Sequence, residues 1–243
     1  MKRAMDAIAG IALLTVFGAA GQAMADAAAP TYPKMAPIKA YLMDRDAEIA
    51  LARSAAPDSI SKDATVMILT RNGYETAVTG KTGWVCLVDR GWSGMLDHPE
   101  FWSPKIRAPG CLSPAVAGSF LPYDYMRTKL VLAGHTKEEV IAATKAAIEK
   151  KQLPSLEGGI CYMMSKSAYL GDFTGHNMPH VMFYAAEKDG AAWGANVKNS
   201  PVMGVSYWSA SAESYPSLKD FPPIYVYLVP VNKWSDGSAA PNM

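Results

Sequence analysis

Thr65-Val66-Met67-Ile68-Leu69-Thr70-Arg71-Asn72-Gly73-Tyr74-Glu75-Thr76-Ala77-Val78-Thr79-Gly80-Lys81-Thr82-Gly83-Trp84-Val85-Cys86-Leu87-Val88 is the stretch that decides the fold. The run Thr65 to Leu69 is rich in apolar and β-branched residues, and Asn72-Gly73 accepts the positive φ angles of a two-residue hairpin turn. Tyr74 to Thr79 alternates, Gly80-Lys81-Thr82-Gly83 reads as a second turn, and Trp84 to Val88 is apolar again. The pattern predicts a three-stranded meander. Its first and third strands are almost continuously apolar, so both of their faces should be covered.

On the N-terminal side, Ile38, Tyr41, Leu42, Ile49 and Ala52 recur at helical spacing, while Asp44, Arg45, Asp46, Glu48 and Arg53 suit a solvated face; Pro57 closes this helix. On the C-terminal side, residues 89–114 hold four prolines, three glycines, Trp92, Phe101 and Trp102 without a period, which predicts a long ordered loop. Two helices follow. The first buries Tyr123, Met126, Leu130 and Ala133 and stops at Gly134; the second opens with Thr136 and Glu139 as a capping box and buries Val140, Ile141, Thr144, Ala147 and Ile148. Strands return at Ile160 to Met164, Val181 to Ala186, Val202 to Tyr207 and Ile224 to Val231. The expected class is α+β, a mostly antiparallel sheet of six or seven strands with three packed helices.

The first residues are read differently. Met1-Lys2-Arg3 is a positive start, Ala7 to Ala20 is a 14-residue apolar run, and Ala23-Met24-Ala25 places alanine where signal peptidase needs small side chains. A membrane span needs roughly 20 apolar residues, so residues 1–25 are expected to be an export signal cleaved between Ala25 and Asp26, leaving no stable membrane span. No cysteine stands directly after the cleavage site and no arginine pair precedes the apolar run, which points to the general secretory route and to the periplasm or the medium. Residues 26–37 carry three prolines among alanines and read as an extended leader, with a single α+β domain over 38–243.

Half of the chain is hydrophobic and 19% is charged, the composition of a folded domain. Cleavage takes Lys2, Arg3 and Asp6 from 23 basic and 22 acidic residues, leaving 21 of each. A neutral chain lacks the field that nucleic acid requires, so that partner is not expected. Cys86, Cys111 and Cys161 permit one disulfide in an oxidising compartment and leave one thiol over. All three pairings stay open, with Cys86 and Cys111 enclosing the shortest loop.

Several motifs fail on their spacing. Ser59-Ile60-Ser61-Lys62 and Lys81-Thr82-Gly83 imitate a serine acyl-transferase but lie too close together and lack the intervening element. Gly80-Lys81-Thr82 imitates a phosphate loop with Glu75 where its first glycine should stand. Gly91-Trp92-Ser93-Gly94-Met95 has methionine in the last glycine position of a nucleophile elbow. Cys111, just before Ser113-Pro114 at a helix start, is the best thiol nucleophile if it is unpaired.

Two constellations survive. His176 and His180 stand close together at the start of the Val181 strand and could hold a transition metal such as zinc, with His98, Asp97, Asp172 or Glu100 as further ligands. Trp92, Phe101, Trp102 and Trp193 lie in loops, where flat aromatic faces can hold a sugar ring or another apolar ligand.

The stretches Asn72-Gly73-Tyr74-Glu75-Thr76-Ala77-Val78, Gly83-Trp84-Val85-Cys86-Leu87-Val88, Pro99-Glu100-Phe101-Trp102 and Gly190-Ala191-Ala192-Trp193-Gly194-Ala195-Asn196 resemble a group of bacterial exported proteins with no assigned activity. The resemblance implies a bacterial exported domain and transfers no functional residue. The expected function is therefore binding of a small molecule or cell-envelope component through the 89–114 and 171–180 loops. The alternatives are a metal-assisted hydrolase centred on His176 and His180, or a purely structural envelope protein.

Overall fold

A computed structural model describes residues 32–241 apart from 156–157, 173, 186–189, 209–217, 219–220 and 223. The export signal expected at residues 1–25 lies outside the described residues. Strands β1 (Thr65–Thr70) and β2 (Gly73–Val78) form the antiparallel hairpin that Asn72-Gly73 predicts, with Thr70 opposite Gly73. The meander does not continue. Strand β3 (Val85–Asp89) leaves the edge and lies parallel to β1 on its other side, Thr65 opposite Val85.

The connection that makes this possible is short and tight. Residues 79–84 pass beneath the start of β1, where the Lys81 amide donates to Asp63 O and the Thr65 amide donates to Trp84 O. A Cβ on Gly80 would stand 2.2 Å from the Thr65 nitrogen, so only glycine fits there. The segment Gly80-Lys81-Thr82-Gly83 is thus a crossing, not a hairpin turn. The crossing moves β3 inward, which satisfies its apolar sequence on both faces.

A second departure lies inside the expected long loop. Ala108–Leu112 forms β4, antiparallel to β3, although Pro109 and Gly110 read as strand breakers. The pairing of β4 with its other neighbour covers only Cys111 and Leu112, so no ladder hydrogen bond is asked of the missing Pro109 N–H. Strands β5 (Ile160–Met163), β6 (His180–Ala185), β7 (Met203–Ser206) and β8 (Tyr225–Pro230) complete a sheet of order β2-β1-β3-β4-β5-β6-β8-β7. Every neighbouring pair except β1 with β3 is antiparallel, and the fold is α+β.

The N-terminal helix is shorter than its apolar spacing predicts. A 3-10 turn at Ile38–Ala40 is separated from α1 (Arg45–Arg53) by Asp44, whose carboxylate caps the Asp46 and Ala47 amides. The break leaves Tyr41 fully buried, with its hydroxyl donating to Trp102 O. After the short α2 (Asp58–Ser61), the long α3 (Pro114–Leu132) and α4 (Lys137–Glu149) follow; the Thr136 and Glu139 capping box is present. Part of the segment expected to be an extended leader is docked, since Met35 and Ala36 pack on the core and the Tyr32 hydroxyl donates to Asp172.

Strand alternation divides the core into two layers. Cys86, Val88 and Cys111 face α1 and α2 and pack with Ala52, Ala55, Ala56 and Val66. Leu87 and Leu112 face the opposite way, into a larger core with Val116, Phe120 and Trp92. Cys86 and Cys111 stand opposite each other in the β3–β4 register and are joined as a disulfide on the α1 side. Cys161 is a buried free thiol on the other face, so Cys111 is no nucleophile.

Replacing Cys86 and Cys111 together by alanine should lower the free energy of unfolding by about 2–4 kcal/mol in urea titrations. Thiol titration of the unreduced, denatured chain should count one cysteine, and three after reduction. Three thiols before reduction would contradict the pairing.

Candidate functional site

On the side of the sheet that carries Leu112, a cavity of about 550 Å³ lies against the strands from β4 to β8. Register explains its lining. Leu112 stands opposite Cys161, Cys161 opposite Met182, Met163 opposite His180, Tyr184 opposite Val226, and Met203 opposite Leu228. All of these side chains project to one face, and all line the cavity. Helix α3 adds Phe120, the loop after β3 adds Ser93, Met95 and His98, and the 170–178 loop adds Leu170, His176 and Met178.

The lining is mostly apolar and rich in methionine, a side chain that adapts to irregular ligands. Met178, Met203 and Val205 are among the few large hydrophobic residues that are exposed, and together they give the cavity an apolar rim. Phe120, Tyr184 and Tyr207 form a triangle of rings with centroids 5.7 to 6.2 Å apart. Their contacts are edge-to-face, so the triangle packs as a rigid unit.

At one end the apolar wall gives way to charge. Alternation along β3 sends Asp89 to the cavity and Arg90 toward α1, where the Arg90 guanidinium pairs with Glu48 at 2.9 Å. Arg90 also donates to the Tyr41 and Val88 carbonyls, so its charge is held in place. Asp89 is surrounded by protein but keeps some accessible surface, and it lines the cavity. Helix α3 brings Asp124 and Arg127 to the same place, both fully buried. Arg127 donates to the Ser93 and Gly94 carbonyls and lies 5.6 Å from the Tyr207 ring centroid and 5.7 Å from that of Trp208.

Several atoms of this group lack a hydrogen-bond partner among the described residues: Asp89 Oδ1, the Ser93 hydroxyl, both Asp124 oxygens, Arg127 Nε and Nη2, and the Tyr207 hydroxyl. Ser93 lies near enough to both aspartates to lower their pKa values, but without the geometry of a full hydrogen bond. Burial pushes the Asp89 carboxyl up to about 7 against the opposing effects of Arg90, Ser93 and Arg127. Burial, and then the charge of Asp89, push Asp124 well above the usual carboxylate range. Two carboxyl groups facing one guanidinium cannot both ionise at low cost, so near neutral pH the pair retains a proton.

The histidines expected to bind metal are placed as follows. His98, His176 and His180 all line the cavity. His176 Nδ1 contacts Ala168 O and His180 Nδ1 contacts Met178 O, each at 2.9 Å, while His98 Nδ1 accepts the Glu100 amide. Burial lowers the pKa of His180, and burial with nearby Lys137 lowers that of His98. The carboxylates proposed as further ligands have other roles. Glu100 accepts the Asp172 amide, and Asp172 accepts from Tyr32, Tyr169 and Lys105. Among the described residues no three His, Cys, Asp or Glu side chains are grouped to hold a metal ion.

The aromatic residues expected to hold a ligand are elsewhere. Trp92, Phe101 and Trp102 are buried: Trp92 packs on Tyr41 and donates to Thr128, and Phe101 and Trp102 pack edge to face. None of the three lines the cavity, because the loop folds them inward as core. Trp193 is 55% exposed and stacks on Tyr227, whose position beside Phe183 in the register puts both on the sheet face away from the cavity. Sequence reasoning missed Asp89 and Asp124. Asp89 ends an apolar strand and Asp124 stands mid-helix between two tyrosines, so their isolation in apolar surroundings was the available signal.

No protein family matches the chain, and neither a curated protein nor a solved structure is similar to it. The site therefore rests on its own geometry.

The raised Asp89 pKa makes one contribution to the pH dependence of folding. In the unfolded chain the carboxyl ionises near its ordinary value of 3.8, and in the folded chain near 7, so the contribution of Asp89 to stability is lost as pH rises through that window. Asp89→Asn should stabilise the protein by on the order of a few kcal/mol at pH 8, with the gain shrinking toward pH 4 in denaturant titrations. An unchanged or destabilised variant at pH 8 would contradict this environment.

Proposed function

We propose that the chain is an exported binding protein that holds a small molecule with an apolar body in the cavity against β5, β6, β7 and β8. The observation that carries this reading is the form of the cavity. It has an apolar, methionine-lined wall, an apolar rim, and one end where buried polar atoms lack partners among the described residues. Ligand sites combine a mainly hydrophobic lining with a few convergent polar groups in this way.

The export part rests on the leader at Met1 to Ala25 and is supported by the disulfide, a bond at home in an oxidising compartment. Among the described residues no helix is long and apolar enough to cross a membrane. The metal-assisted hydrolase reading gains no support, because among the described residues no three ligating side chains are grouped around His176 and His180.

N-phenyl-1-naphthylamine, an uncharged apolar dye, should bind with a saturable rise in fluorescence at one dye per chain. Met182→Trp, which places an indole in the middle of the cavity, should abolish that signal while thermal unfolding stays cooperative. No enhancement with the unsubstituted protein would overturn the binding reading. Intact-mass analysis of the protein recovered from outside the cytoplasm should give a chain beginning at Asp26; a cytosolic species retaining Met1 would overturn the export reading.

A further inference from the structure

We propose that the ligand of this cavity is an organic cation: an apolar body carrying an ammonium group that Asp89 receives at the polar end. The inference rests on the binding reading above and adds the chemical class of the ligand.

Charge counting is the first support. Around Asp89, the described buried charges are Glu48, Arg90, Asp124 and Arg127. Glu48 and Arg90 cancel as an ion pair. Arg127 then faces two carboxyl groups, and one negative charge is left over whenever both are ionised. A proton can neutralise it, and so can a ligand cation.

Hydrogen bonding is the second support. The groups that line the cavity and lack hydrogen-bond partners among the described residues are Asp89 Oδ1 and the Ser93 and Tyr207 hydroxyls. All three can accept, and an ammonium group supplies three donors in a compact head. An anionic head would meet a carboxylate there, and the free edge of Arg127 does not line the cavity.

The aromatic triangle is the third. Phe120, Tyr184 and Tyr207 line the cavity at this end, and Asp89 acts electrostatically on both tyrosines. Ring faces attract cations. A carboxylate beside aromatic rings in a water-poor end is a combination that selects an ammonium group over its uncharged isostere.

Protons and cation then compete for one place. The groups that set the competition are Tyr74 from β2, Arg90 and Ser93 from the chain after β3, Asp124 and Arg127 from α3, Cys161 from β5, Tyr184 from β6 and Tyr207 after β7. His98, His176 and His180 line the same cavity, and burial holds His98 and His180 toward their uncharged forms.

The test compares 4-phenylbutylamine with 4-phenylbutanol by isothermal titration calorimetry. The amine should bind more tightly than the alcohol at pH 8, weaken roughly tenfold by pH 6 as Asp89 takes up its proton, and release a proton on binding, seen as a dependence on buffer ionisation enthalpy. The alcohol should bind equally at both pH values. In Asp89→Asn the amine should bind no more tightly than the alcohol and should lose its pH dependence, while thermal unfolding stays cooperative. Equal binding of amine and alcohol at pH 8, or an amine advantage that survives in Asp89→Asn, overturns the cation assignment and leaves the binding reading standing. Failure of both probes and of the naphthylamine dye overturns the binding reading and this inference with it.

Discussion

A single buried ion pair fixes the frame on which everything else is placed. Glu48 comes from α1 and Arg90 from the end of β3, and both are removed from water. Glu48 also accepts the Leu69 amide at the end of β1, and Arg90 reaches the Tyr41 carbonyl ahead of α1. Four segments are therefore tied at one point. Such a pair adds little net stability compared with apolar packing, yet removing one partner costs about 3–5 kcal/mol because the other charge is left alone. Its value here is positional. With Arg90 held on the α1 side, the pleat of β3 must deliver Asp89 to the opposite side.

That arrangement explains why the sheet is unequally covered. α1 and α2 close one face over β1, β3 and β4, and α3 closes the other near β2, β4 and β5. Among the described residues, α3 reaches the cavity side of the strands beyond β5 through Phe120, which packs on Tyr184, and the inward side chains there are a mixture of methionine, histidine, tyrosine, valine and leucine. The polar end sits where α3 crosses back over β3, so the charged group and the apolar wall are built from different elements meeting at a seam.

Much of the fold was legible in the sequence because its signals were local. Asn72-Gly73, the capping box at Thr136, and the apolar runs at 160, 181, 203 and 225 each specify an element without help from distant residues. What was not legible depended on tertiary contacts. The parallel placement of β3 follows from a crossing that only the Gly80 approach to Thr65 makes possible, and β4 is a strand in spite of Pro109 because its neighbours ask for no hydrogen bond there. The site was less legible than the fold. His176 and His180 do share a cavity, but the loop tryptophans turned inward, since long loops with large aromatics can build core as readily as binding surface. Asp89 and Asp124 are 35 residues apart and carry no spacing signature.

The two-faced sheet also separates sulfur chemistry. Cys161 is adjacent to Leu112 across the β4–β5 ladder, one position from Cys111, yet it points into the cavity layer while the disulfide lies in the α1 layer. The backbone itself stands between a thiol and the bond it could attack, so reshuffling needs the ladder to open. A slip of β5 by one residue would bring Cys161 to the face of Cys111 and invite the wrong bridge. Strand register and correct oxidation therefore proofread each other as the chain folds.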